Sequence, residues 1–140
     1  MSDDLTTWLR KQIGQRKAAA RDLIESEAAA PEWYEMTSGV LVTAPPEHDD
    51  HWSGTFAIGD SRLTRFIAAN DPRDTIARCD AELAVLAEHE AAVIVYESQY
   101  ATRDGVGNGV LSCIKTLERV VRLIGSGYRF RDGYREEWKP

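Results

Sequence analysis

Three groups of side chains in this 140-residue chain have the types and spacing to do chemistry. The most compact is His48-Asp49-Asp50-His51, a run of candidate metal ligands inside the segment APPEHDDHWSG. Structural zinc sites draw their ligands from separated segments and hold them with outer hydrogen bonds. No cysteine pair is available to complete such a set, so a solvated loop is the expected reading and no metal is assigned. The second group is Glu82, Glu88, Glu90 and Glu97, the carboxylates of an all-helical, magnesium-dependent nucleotide hydrolase if they converge with others. Convergence needs two or more helices aimed at one ion. Glu90 and Glu97 fall on the seam side of one helix, whereas the last helix offers only Glu118, on its polar side. His89, between Glu88 and Glu90, is expected at the surface or its boundary.

The third group lies near the C-terminus. Arg119, Arg122, Arg129, Arg131 and Arg135 are interleaved with Tyr128, Phe130 and Tyr134, and Trp138 follows. Aromatic and arginine side chains supply much of the energy at protein interfaces. Tyr128, Arg129, Phe130, Arg131, Tyr134, Arg135 and Trp138 are therefore the candidate interaction surface, with Phe130 and Trp138 anchored on the helices and the arginines outside. The same combination serves single-stranded nucleic acid through stacking and phosphate contacts, which makes a nucleic-acid-associated regulator the second reading. The formal net charge of −6, from 23 acidic against 17 basic residues, disfavours it. No GxSxG, HExxH or Walker motif occurs, and Gly105, Gly107 and Gly109 lack the spacing of a phosphate loop. No enzyme activity and no cofactor are expected.

The elements that must position these groups follow from periodicity and punctuation. Length and an ordinary 43% hydrophobic content fit a single domain over residues 1–140. A first helix over 3–29 carries the stripe Leu5, Trp8, Leu9, Ile13, Ala20, Leu23 and Ile24, opposite a basic face, and ends before Pro31. Residues 32–58 read as a three-stranded antiparallel β-meander, because β-formers flank Gly39 and recur at Thr55–Ile58. Asp60 or Ser61 caps a short helix over 61–69 through Leu63, Phe66 and Ile67. Asn70-Asp71-Pro72 opens a central helix over 72–100, with Ile76, Cys79, Leu83, Leu86, Val93 and Tyr100 on one face. A last helix over 109–124 presents Val110, Ile114, Leu117, Val121 and Ile124 and stops at Gly125-Ser126-Gly127, and the aromatic segment 128–140 follows. The expected class is α+β, mainly helical, with three substantial helices, one short one and the meander.

Cys79 and Cys113 both fall on apolar helix faces and read as small buried hydrophobes, which suits a reducing cytoplasm. The opening MSDDLTTWLRKQ has no apolar core of a signal peptide, and no run approaches membrane-spanning length. The central helix exceeds the typical ~11–12 residues, but Glu90 and Glu97 on its seam oppose a tight coiled coil, so a monomer or homodimer is expected.

The opening DDLTTWL, the strand Glu32-Trp33-Tyr34, the run FIAANDPRDTIARCDAELAVL and the ending GYREEWKP together resemble a family of small proteins of unknown function from actinobacteria and their bacteriophages. The resemblance covers much of the chain in the expected order and implies an actinobacterial or phage origin, but no activity. Similar members carry a Cys-rich insert suggestive of zinc, and His where this chain has Phe66 and Asn70. Both features are missing here, so that zinc role does not carry over. The expected role is a non-enzymatic accessory protein that binds a host or self protein.

Overall fold

The computed structural model describes residues 3–25, 33–37, 40–42, 55–57, 60–99 and 107–140. In chain order these form α1 (Asp3–Glu25), β1 (Tyr34–Thr37), β2 (Val40–Val42), β3 (Thr55–Ala57), α2 (Ser61–Ala68), α3 (Pro72–Gln99), α4 (Asn108–Gly127) and a 3₁₀ turn (Glu136–Trp138). They divide into two compact units, Met1–Ile13 with Asp80–Pro140, and Gly14–Cys79.

The expected α+β class is corrected: among the described residues the molecule is mainly helical. Helices of 23, 8, 28 and 20 residues dominate it. The strands are backbone segments of 4, 3 and 3 residues, shorter than the usual ~5–6. They pair antiparallel in the order β1-β2-β3, with an irregularity between Glu35 and Thr37. An α+β class requires a sheet with an apolar face buried as a layer of its own. Segments of 3 and 4 residues do not set the class beside four helices of 8 to 28 residues.

In the unit Gly14–Cys79, Asp60 caps α2. Its Oδ1 accepts from the backbone N–H groups of Arg62 at 2.8 Å and Leu63 at 3.4 Å. The Arg62 guanidinium beside it, followed by those two N–H groups, holds the Asp60 carboxyl below its ordinary value. Thr64 is buried and donates its hydroxyl to the Asp60 carbonyl at 2.9 Å, while Leu63 and Phe66 are exposed. The start of α3 is built as its residues dictate. Asp71 Oδ1 accepts from the Asp74 N–H at 2.7 Å, Pro72 occupies the first helical position, and Cys79 is fully buried.

In the other unit, Leu5, Leu9 and Ile13 of α1 are fully buried, as are Leu86 of α3 and Val121 of α4. The last helix continues to Gly127 instead of stopping at Ile124. Gly125 is a packing residue: a Cβ there would stand 3.3 Å from Leu5 Cδ1, so its bare backbone admits the leucine. Cys113 is exposed, which corrects its expected burial. It adjoins Ile114, which takes the buried position, and neighbouring residues point about 100° apart around a helix. Among the described residues no helix is long and apolar enough to cross a membrane.

Candidate functional site

The C-terminal segment is fixed by side chains from both ends of its unit. Tyr128 is buried and donates its hydroxyl to Glu82 Oε2 at 2.5 Å. A turn follows, closed by the Arg131 N–H donating to the Tyr128 carbonyl at 2.9 Å. The rings of Trp8, Tyr134 and Trp138 then meet one another, with centroids 5.2 to 5.9 Å apart and tilted to edge-on geometries. Tilted and T-shaped contacts set the positive ring edge against a neighbour's negative face. Trp8 Nε1–H donates to the Asp132 carbonyl at 3.1 Å. Gly133 lies beside that indole with φ +85°, and a Cβ there would be only 2.9 Å from Trp8 Nε1.

Polar contacts tie down the rest. Arg122 Nη1 donates to the Glu137 carbonyl at 2.9 Å. Arg135 pairs with Asp4 at 3.2 Å and lies over the Trp138 ring at 5.2 Å. Lys139 pairs with Glu136, which raises the Lys139 ammonium above its ordinary value, first through that hydrogen bond and then through the charge.

The candidate surface residues therefore separate into two sets. Tyr128 and Trp138 are buried, Tyr134 is half-buried, and Arg135, though exposed, is engaged within the chain. Arg129, Phe130 and Arg131 are exposed. Phe130 is 86% exposed, which corrects its expected anchoring role: Trp138 anchors, at 4% exposure, and Phe130 does not. The Arg129 guanidinium carbon lies 4.6 Å from the Phe130 ring centroid, within cation–π range.

A second feature lies where α1, α3 and α4 meet. A cleft of about 530 Å³ is lined by Thr6, His89, Glu90, Val93, Ile94, Tyr96, Glu97, Leu111, Ile114 and Glu118. Glu90 pairs with Arg10 at 2.6 Å. His89 is 6% exposed, and both ring nitrogens are buried without a hydrogen-bond partner.

A family model matches residues 2–140, which is nearly the whole chain. The chain belongs to DUF6221, a family of unknown function. No curated protein and no solved structure matches it. The resemblance carried by DDLTTWL, the FIAANDPRDTIARCD run and GYREEWKP thus leads to a family whose description names no activity.

In this DUF6221 chain the structure brings together groups that spacing alone kept apart. Glu90 and Glu97 of α3 line the same cleft as Glu118 of α4, although Glu118 was expected on the polar side of its helix. They do not cluster for metal binding: among the described residues no group of three or more His, Cys, Asp and Glu side chains could hold an ion. Glu88 does not line the cleft, and Glu82 is occupied by Tyr128. The His48–His51 run lies outside the described residues. His89 is buried, contrary to its expected boundary position. The signal was available, because His89 stands three residues after buried Leu86 and four before Val93, on the same helix face. Its acidic neighbours in sequence masked that register.

Proposed function

We propose that this protein is a non-enzymatic interaction protein that binds a partner protein through the turn Arg129-Phe130-Arg131, in an actinobacterial or phage setting and in the cytoplasm. The observation that carries this reading is the 86% exposure of Phe130, held between buried Tyr128 and the Trp8–Tyr134–Trp138 ring cluster. A rigid support removes much of the ordering cost of binding. Burying a phenylalanine side chain contributes about 1.5–3 kcal/mol, and flanking arginines add directional hydrogen bonds to carboxylates or carbonyls.

The test is affinity capture from an actinobacterial lysate with the full chain, followed by direct binding of the purified partner. Phe130→Ala is expected to weaken that binding by about 2 kcal/mol or more, as a central aromatic contact does. Arg129→Ala with Arg131→Ala is expected to weaken it further, and all three changes should leave the melting temperature nearly unchanged. A partner that binds these variants as well as the parent would overturn the assignment. The same side chains also favour the nucleic-acid reading. Salt-sensitive binding of a single-stranded oligonucleotide that Phe130→Ala abolishes would put that reading in its place.

A further inference from the structure

We infer that the segment of the partner that seats on the Arg129-Phe130-Arg131 turn is acidic and amphipathic, with carboxylates set among bulky apolar side chains, and that it runs on along the exposed face of α4. This rests on the interaction reading of the turn and adds the chemistry of what binds there. The first observation is charge. Acidic residues outnumber basic ones 23 to 17 in the whole chain. Residues 115–132 reverse that balance, with Lys115, Arg119, Arg122, Arg129 and Arg131 against Glu118 and Asp132. Glu118 is half-buried and lines the cleft, whereas Lys115, Arg119, Arg129 and Arg131 are exposed.

Geometry joins these charges into one strip. Lys115, Arg119 and Leu123 stand four residues apart on α4, so they share a helix face, and all three are exposed. The helix rises roughly 18 Å between Lys115 and its end at Gly127, at 1.5 Å per residue. Beyond it the chain stays close. The Arg129 N–H donates to the Ser126 carbonyl at 3.3 Å and the Arg131 N–H to the Tyr128 carbonyl at 2.9 Å, two successive tight turns that hold Phe130 at the helix end. Two of the guanidiniums are engaged by neutral groups, which position them without cancelling their charge. Arg122 Nη1 donates to the Glu137 carbonyl at 2.9 Å and the Lys139 carbonyl at 3.4 Å, and the Arg129 guanidinium lies on the Phe130 ring.

Such a strip favours carboxylates, which arginine takes in directional, often bidentate pairs. Its apolar members, Leu123 and Phe130, are both exposed and need apolar cover of their own. A single-stranded nucleic acid satisfies the arginines, but its phosphates offer nothing to Leu123, and it brings a charge with every nucleotide toward a chain of net charge −6. An acidic amphipathic segment brings only a few carboxylates, together with the side chains that cover Leu123 and Phe130.

The probe is a synthetic peptide with leucine and phenylalanine spaced among glutamates, titrated into the full chain by calorimetry. One counterpart replaces its glutamates with glutamine, and another replaces its apolar residues with serine. The acidic peptide is expected to bind saturably, and both counterparts about tenfold more weakly or less. Lys115→Glu with Arg119→Glu is expected to weaken the acidic peptide about tenfold, because each lost exposed pair contributes little and reversal adds repulsion. It should also flatten the dependence of binding on salt. Both positions are exposed, so the melting temperature should stay nearly unchanged. Phe130→Ala reports the turn itself. Binding that Phe130→Ala weakens but charge reversal does not, or equal binding of the glutamine peptide, would overturn the acidic assignment and leave the turn as an interaction site. Equal binding by Phe130→Ala would remove the turn and the acidic assignment together. Absence of saturable binding by the acidic peptide, or tighter binding of a single-stranded oligonucleotide or of phosphatidylserine vesicles, would also overturn the assignment.

Discussion

The Trp8–Tyr134–Trp138 cluster and the α1–α3–α4 cleft both bury polar atoms without partners, but they offset that cost differently. In the cluster, Tyr134 Oη and Trp138 Nε1 are orphaned. Each orphan costs about 1–3 kcal/mol. Each large ring removes roughly 150–250 Å² from water, which at about 25 cal/mol/Å² returns some 4–6 kcal/mol. Ring burial wins, and the cluster is a structural device despite its unpaired atoms. At the cleft the orphan is a smaller, more polar imidazole beside a space large enough to hold a partner. Little apolar area offsets that cost. An unpaired group inside a ring cluster is offset by packing, while one on a small imidazole beside a cleft is offset far less.

The sharpest way to break the comparison is to remove a ring. Trp138→Ala should cost about 3–5 kcal/mol, as large aromatic deletions do, and denaturant melts will show it. Trp138→Phe should recover most of that, because it keeps a ring and discards the orphaned N–H. Recovery failing entirely would mean that Trp138 Nε1 has a partner after all. Next in size is Gly133→Ala, expected to cost about 1–3 kcal/mol. A side chain at φ +85° is strained, and its Cβ would meet the Trp8 indole. His89→Leu should melt at or above the parent, by up to about 1 kcal/mol, since replacing an unsatisfied polar group with an apolar one of similar shape removes its penalty. A clear loss would place His89 among the structural residues and erase the contrast.

The smallest effect lies outside both regions, at Asp60. Its carboxyl is held below the ordinary value of 3.8. The stabilisation is therefore fully present above that value and is lost as pH falls through the lowered one. Asp60→Asn can still cap α2 but cannot titrate. Melting curves against pH should show any advantage of the parent over Asp60→Asn disappearing only in that acidic window.

Helix positions were legible where local chemistry decides them. Asp60 and Asp71 cap as their types suggest, Pro72 starts α3, and the Leu5, Leu9, Ile13 stripe is buried. What periodicity could not give was which of two plausible neighbours a third element covers. Ile114 is taken and Cys113 left out, and Trp138 is taken while Phe130 is left out. Those choices depend on where Leu5 and Trp8, more than a hundred residues away, meet the C-terminal half. The cleft was illegible for the same reason, since Glu118 joins Glu90 and Glu97 only once α4 is placed. Gly125 illustrates the limit of punctuation. A helix-stop signal in sequence is in the structure a flat spot against Leu5.

The hydrogen bond from Trp8 to Asp132 spans 124 positions of chain, and that separation has a price in time. At a synthesis rate of ~5–20 residues per second, roughly 6–25 s pass between the appearance of Trp8 and that of its acceptor. Through that interval Leu5, Leu9 and Trp8 emerge as an apolar stripe with no Gly125, Tyr134 or Trp138 to receive it. Closure of this unit is therefore a late event, and contacts of such long range slow folding because loop closure must precede their reward. The nascent chain is most exposed to aggregation over the stretch in which its first helix waits for its last turn.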